Sequence, residues 1–477
     1  MPALQSLPYF IPELILASAS IIILLLDLLK VGKKWLGLLS IFFLVVASFF
    51  LTTSQVPVWL FSDLYLIDGF SLLFKVLVLL MVGLPILVSI SSDVIPEKQK
   101  GEFFFLMLAV AFLLMTMGST TNLLMIFLAT ESVSITSYIL TGFQKFNKKS
   151  SEAALKYLLF GSVASATMLF GMSLLFGLTG TLELTQMPTA IMQNTPSNLL
   201  SAMTALLFIF VGLGFKISMA PFHMWAPDVY EGAPTPVAAF LTVAPKSLGF
   251  LVIFRILTAA FGFAIGKWSE LFVTLSILTM TIGNVVAVSQ TNIKRLLAYS
   301  SIAQAGYILM GLGAANETGF QGIFIYLIAY LFTNLGAFLT VAIVEQSEKS
   351  NNLDAYNGLA KRSPFLALAL TIFLLSLAGI PPLAGFMAKW YVFAGAVQER
   401  LVGLAVAAAL NSAVAGYYYF KIVKAMYLTA PQKTTSVSYN SFAFIAIVIA
   451  LIGTFAIGLF PSPIISLVAN TLNSFIT

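Results

Sequence analysis

Residues Gly212 to Ala239 read GLGFKISMAPFHMWAPDVYEGAPTPVAA, and within that run a long apolar helix stops being ordinary. Lys216 stands inside the apolar segment, Pro221 interrupts it, and His223, the only histidine of the chain, follows the interruption. A proline has no amide proton to give and collides with the preceding turn, so the carbonyls from Ile217 to Ala220 lose their helical partners. At membrane depth those groups must be met by water, protein or an ion. A charge beside a broken helix is the pattern of a transfer site in a transporter.

The surrounding composition agrees. Of 477 residues, 60% are hydrophobic and only 9% charged, and the mean hydropathy is +1.00, far from a soluble domain. The chain reads as an integral membrane protein. Its net charge of +6 comes mostly from short loops, where lysine and arginine set orientation, so it does not point to a nucleic-acid partner. With no cysteine and one histidine, thiolate iron–sulfur ligation and a paired haem site are excluded. No Gly-rich phosphate-binding pattern follows a strand, and no cofactor or metal site is expected in this chain.

Apolar runs of about twenty residues predict helices near 9–29, 35–53, 68–91, 103–118, 121–143, 153–176, 199–220, 234–260, 269–288, 294–314, 319–345, 364–398 with an internal break, 402–428 and 441–460. That is an all-α polytopic protein of about fourteen spans. The first run lacks a basic leader and a small-residue cleavage site, so it is expected to be retained. Basic residues follow odd-numbered helices, at Lys30, Lys33 and Lys34, at Lys145, Lys148 and Lys149, at Lys294 and Arg295, at Lys361 and Arg362, and at Lys424 and Lys433. Asp63, Glu183 and Glu317 lie on the other side. The positive-inside rule then puts both termini away from the cytoplasm.

A repeat is also expected. The fifth helix opens with Thr121-Asn122 and the tenth with Thr291-Asn292; two helices after each comes a helix broken at proline, at Pro221 and at Pro381-Pro382. Two five-helix units enter the membrane from opposite sides, which makes an inverted repeat with discontinuous helices. The implied division is a three-helix segment at 1–102, repeats at 103–262 and 263–430, and a terminal helix at 431–477.

Six ionisable residues fall within or beside the spans. Glu131 lies mid-helix, where a carboxylate costs roughly 2.5 kcal/mol or more, and is expected to pair with Lys156 on the next helix. Lys156 either snorkels to the interface or works from a face with Gly161, Ser162 and Ser165, whose small side chains admit a close neighbour. Lys216 sits too deep to snorkel easily, and burial favours the neutral amine, so it is expected to give up and regain a proton. Lys246 lies well inside the helix after Pro234, Pro236 and Pro245, and Lys389 follows the second break in GIPPLAGFMAKWYVF. His223 either caps freed carbonyls or relays protons between Lys216 and Lys246. Charges within about 6 Å of one another couple by several kcal/mol at low effective dielectric. That is comparable with the roughly 2.3 kcal/mol per charge that about 100 mV imposes, so movement along such a row can drive a proton. Lysines are poor cation ligands, which favours protons over sodium.

The segment KISMAPFHMWAPDVYEGAPTPVAAFL from Lys216, SQTNIKRLLAYSSIAQAGY from Ser289 and LSLAGIPPLAGFMAKWYVF from Leu375 resemble the antiporter-like membrane subunits of respiratory complex I. Among them the chain is most similar to the kind with a lysine, here Lys389, on its broken twelfth helix. The resemblance covers essentially the whole chain. It implies that Glu131, Lys156, Lys216, Lys246 and Lys389 form a hydrated polar axis moving a proton in a bacterial cytoplasmic membrane. It also implies partners: other membrane-arm subunits, and peripheral-arm subunits that carry NADH, FMN, iron–sulfur clusters and quinone chemistry. Two alternatives stand beside it, a subunit of a multi-subunit cation/proton antiporter and a structural anchor that moves no ion.

Overall fold

A backbone that crosses lipid closes its hydrogen bonds within itself, and the apolar runs accordingly fold as helices. The structure is a computed structural model that describes residues 1, 3–51, 57–192, 196–431, 433 and 435–476. In chain order it contains α1 (Ile11–Leu28), α2 (Lys33–Leu51), a hairpin of β1 (Val58–Leu60) and β2 (Tyr65–Ile67), α3 (Gly69–Ser89), α4 (Lys100–Gly118), α5 (Leu123–Thr141) and α6 (Lys148–Thr179). Then come α7 (Pro196–Ile217), α8 (Trp225–Gly232), α9 (Thr235–Arg255), α10 (Ile265–Val288), α11 (Ile293–Ala314) and α12 (Glu317–Glu348). The chain closes with α13 (Pro364–Ala378), α14 (Ala384–Gln398), α15 (Val402–Leu428), α16 (Ser441–Leu459) and α17 (Ser462–Ile476). Among the described residues, thirteen helices are long and apolar enough to cross a membrane. The pair α13 and α14 supplies the broken helix expected at 364–398.

Burial orders these helices. The apolar window of α9 is wholly buried and those of α11 and α12 are 94% buried, against 33% for α2, α6, α15 and α16. Three helices thus form a central post, and α2, α6, α15 and α16 face outward. That post can carry polar side chains, because they meet protein and not lipid. Pro245 interrupts α9 from within; the carbonyl it frees, Leu241 four residues back, accepts a hydrogen bond from the Tyr230 hydroxyl at 3.4 Å.

Both proline breaks fall where the sequence places them. α7 ends at Ile217, Ser218 takes a left-handed φ of 58°, and the chain resumes as α8. The freed Phe215 carbonyl accepts from the Trp225 indole at 3.0 Å, and the Ala220 amide donates to Thr279 of α10 at 3.1 Å. The second break runs from Gly379, with φ 91°, to α14, whose Gly385 amide donates to the Ser376 hydroxyl at 3.0 Å. Each break contains one cis peptide, Ala220–Pro221 and Pro381–Pro382.

The two Thr-Asn openings also build the same local structure. The Asn122 side chain accepts from the amides of Leu124 and Met125 at 3.1 and 3.3 Å, and Asn292 accepts from Lys294 and Arg295 at 3.0 and 3.2 Å. Such caps satisfy amides that a helix start leaves free. Each asparagine further bridges antiparallel to a later loop, Asn122 to Glu183 and Asn292 to Asn352.

The short hairpin was not expected. Its register pairs Val58 with Ile67, Trp59 with Leu66 and Leu60 with Tyr65, and three-residue strands are too brief to show an alternation in sequence.

Candidate functional site

Lys216 occupies the last turn of α7, just before the break, and is only 2% exposed. Its ammonium donates to the Ser134 hydroxyl at 2.8 Å and to the Thr130 carbonyl at 3.3 Å, both on α5. Glu131, between those two residues, accepts a hydrogen bond from Ser165 of α6. Gly161 makes this approach possible: a Cβ there would stand 1.9 Å from the Tyr138 hydroxyl of α5. Gly161 and Ser165 therefore do face α5, whereas Ser162 is exposed and bonds back to the Leu158 carbonyl.

The expected Glu131–Lys156 ion pair is not formed. Lys156 instead pairs with Asp228 of α8 and Glu152 of α6, each at 2.8 Å, and is 39% exposed. The reason is axial distance. Ser165, which reaches Glu131, lies nine residues beyond Lys156, or about 13 Å along a helix. Lys156 stands close to the beginning of α6, where α8 presents its carboxylates. Arg295 of α11 joins the same cluster, 2.6 Å from Asp228 and 3.1 Å from Glu231.

Lys246 is buried in α9. Its ammonium donates to the carbonyl of Ser301 on α11 at 3.3 Å and also to that residue's hydroxyl, and it lies 5.7 Å from the centre of the Tyr230 ring. His223, 9% exposed, sits on the link between α7 and α8; no described hydrogen bond joins it to Lys216 or Lys246. Lys389 of α14 donates to the Ala378 carbonyl at 2.9 Å, the last one of α13, and to Ser412 of α15 at 3.1 Å. Its ammonium lies 4.5 Å from the centre of the Tyr307 ring.

Between Lys246 and Lys389 runs a polar stripe to which the sequence reading assigned no role. Ser300, Ser301, Gln304 and Tyr307 share one side of α11, at offsets of zero, one, four and seven. The Gln304 amide donates to the Leu377 carbonyl at 3.1 Å and the Tyr419 hydroxyl at 3.3 Å, and its oxygen accepts from Tyr326 of α12. Tyr307 accepts from Ser412 and from Asn284, both at 3.3 Å. The signal was legible in SSIAQAGY: polar residues at helical spacing inside an apolar helix.

Chemically, the arrangement is three ammonium groups buried in the helix bundle and held by hydroxyls and carbonyls, with no carboxylate in ion-pair contact among the described residues. Several buried polar atoms beside them, Thr130 Oγ1, Ser247 Oγ and Asn334 Oδ1, have no hydrogen-bond partner among the described residues. Among those residues no group of three or more His, Cys, Asp or Glu side chains gathers as a metal site.

Residues 119–415 match the transmembrane family shared by NADH:quinone oxidoreductase and Mrp antiporters. NADH-quinone oxidoreductase subunit N of Anaeromyxobacter sp. is 41% identical over 463 residues, covering 90% of this chain and 89% of the relative. F(420)H(2) dehydrogenase subunit N of Methanosarcina mazei is 39% identical, covering 97% and 98%. Of solved structures, a chain of respiratory complex I from Thermus thermophilus with bound aureothin superposes with a TM-score of 0.82 at 32% identity, covering 96% of this chain and 99% of that one. A chain of the Mrp complex from Dietzia sp. superposes at 0.84 with 20% identity over 99% and 98%, a likeness of fold.

Proposed function

This chain belongs to the subunit N family of NADH:quinone oxidoreductase, respiratory complex I, and from that membership we propose that it moves a proton along Glu131, Lys216, Lys246 and Lys389, with the α11 stripe as the connection. The carrying observation is that all three lysines are no more than 7% exposed and, among the described residues, lack a carboxylate in contact. A buried ammonium without a counter-charge is costly, so each of these groups gains by passing its proton on when a neighbour is charged. Unsatisfied buried polar atoms beside them are groups that water serves in a protein interior.

Glu131, on the helix whose Thr130 and Ser134 bind Lys216, supplies the acid. Lys156 belongs to the charged rim at the start of α6, where Asp228 and Arg295 hold α8 in place. His223 lies on the break, suited to admitting protons toward Lys216. The matching caps at Asn122 and Asn292, each bridged to a loop about sixty residues on, support the two units at 103–262 and 263–430 as an inverted repeat. Clustered lysines and arginines at one end support termini on the non-cytoplasmic side of the bacterial inner membrane. Electron transfer, with NADH, FMN, iron–sulfur clusters and quinone, falls to partner subunits. The cation/proton antiporter alternative has weaker support, a likeness of fold at 20% identity.

The test is Lys216→Met in the intact complex, with Lys216→Arg beside it to keep a charge in place. Proton uptake per NADH oxidised is measured in inverted membrane vesicles. The expected result is assembled complex with lowered uptake for both variants; normal uptake by Lys216→Met overturns the axis.

A further inference from the structure

Outside the axis, the outward face of α15 combines two features that ordinary lipid contact does not require. Tyr417, Phe420, Lys421, Lys424, Tyr427 and Leu428 follow one another at offsets of zero, three, four, seven, ten and eleven, a single helical stripe. They line a groove of about 740 Å³, within the size range of sites that enclose a small molecule. Tyr417, Phe420, Tyr427 and Leu428 are exposed, and on a membrane span such side chains meet acyl chains. The two lysines are the anomaly. Lys433, nine residues beyond Lys424, is paired with Glu348 at 3.0 Å, but neither Lys421 nor Lys424 has a carboxylate partner among the described residues. Among the described residues the Lys421 ammonium donates to the Gln290 carbonyl alone, at 3.4 Å, which leaves further ammonium protons for a ligand. Gln290 lies in the connection that leads to Lys294 and Arg295, so this is the basic end of the bundle.

We propose that this groove holds one anionic phospholipid, its phosphate between Lys421 and Lys424 and its acyl chain along Tyr417 and Phe420. Charge complementarity selects the occupant: a zwitterionic lipid fills the same apolar groove but leaves the two positive charges uncompensated, whereas an anionic headgroup neutralises them. Each lysine near an anionic surface strengthens attraction severalfold, and two of them together give about a thirtyfold preference. The inference needs only that the chain spans a membrane and does not depend on the proton axis.

The experiment uses the intact complex, stripped of lipid in mild detergent and then exposed to vesicles of phosphatidylcholine alone or phosphatidylcholine mixed with phosphatidylglycerol. Retained lipid per complex is counted after gel filtration for the unaltered protein, for Lys421→Gln/Lys424→Gln, and for Lys145→Gln/Lys148→Gln as a control in another basic loop. Loss of one phosphatidylglycerol from the α15 variant alone supports the site. Equal retention in all three, equal loss in the control, or release of a neighbouring membrane subunit in place of lipid overturns it.

Discussion

Lys156 and Asp228 lie 72 residues apart in the chain and 2.8 Å apart in space. Asp228 is at the same time 2.6 Å from Arg295, so one carboxylate joins α6, α8 and α11. The far side of the first break is therefore held by charge from two directions, while its near side carries Lys216 in the last turn of α7. A displacement of α8 has to be felt by Lys156 and by α11, the helix that carries Ser301 and Gln304.

Replacing Asp228 by Asn should loosen α8. Both ion pairs are about one-third exposed, and such pairs are worth up to about 1 kcal/mol each, so a loss of up to about 2 kcal/mol is expected. Thermal unfolding of the purified complex measures it, and proton uptake per NADH should fall with it. Unchanged uptake would show that the α8 clamp is independent of the axis.

Gly249 of α9 packs against the end of α7: a Cβ there would stand 2.8 Å from Ile217 Cγ2 and 3.5 Å from Lys216 Cγ. Gly249→Ala should cost about 1–3 kcal/mol through overpacking and lower proton uptake by shifting Lys216. Adding Ile217→Leu, which is not branched at Cβ, removes the Cγ2 methyl facing the new Cβ and should recover part of both losses; no recovery would place the defect elsewhere.

Gln304→Leu keeps the volume but removes three hydrogen bonds, leaving the Leu377 carbonyl and the Tyr326 hydroxyl buried without that partner. About 1–3 kcal/mol is expected for each group. Uptake measured at several imposed pH gradients should fall in every one, and Gln304→Glu, which retains an acceptor for Tyr326, should be the milder change.

A different cost is expected in the first three helices. Glu13 of α1 and Lys75 of α3 form a pair 2.7 Å apart, at 0% and 1% exposure, with the Tyr65 hydroxyl donating to the same oxygen at 2.6 Å. Removing one partner strands a buried charge at about 3–5 kcal/mol. Glu13→Gln or Lys75→Met should each reduce the amount of assembled complex, and the double variant should restore much of it. If the double variant is no better than the worse single one, the pair is not the unit that matters.

Much of this was legible in sequence because lipid makes the rules strict. A run such as 402–428 has to be a helix of that length, and α15 spans those residues; Pro221 and Pro381 had to break their helices, and both do. The individual partners were less legible. Lys156 and Glu131 both read as membrane charges, and only the axial offset along α6 separates them. Asp228 was hidden by its place just after the break, where α8 resumes as eight residues too few to register as a span. Glu13 and Lys75 are hard to single out because each lies within a few turns of a helix start, where a charge ordinarily reaches water; here neighbouring helices and the hairpin close over them. Lys216, Lys246 and Lys389 stood out because no snorkelling distance excuses them.

The length of α6 has a further consequence. At 32 residues it extends about 48 Å, against about 30 Å of hydrocarbon, and its opening turns, with Lys148, Lys149, Glu152 and Lys156, are the charged part suited to the headgroup layer. Glu152 and Lys156 there, with Asp228, Glu231 and Arg295 across from them, form a fixed lawn of weak acids and their counter-charges at the waterline. Pairing holds these groups in their charged forms, so a proton arriving from bulk meets a fixed electrostatic mouth beside the break and not a reservoir of protons.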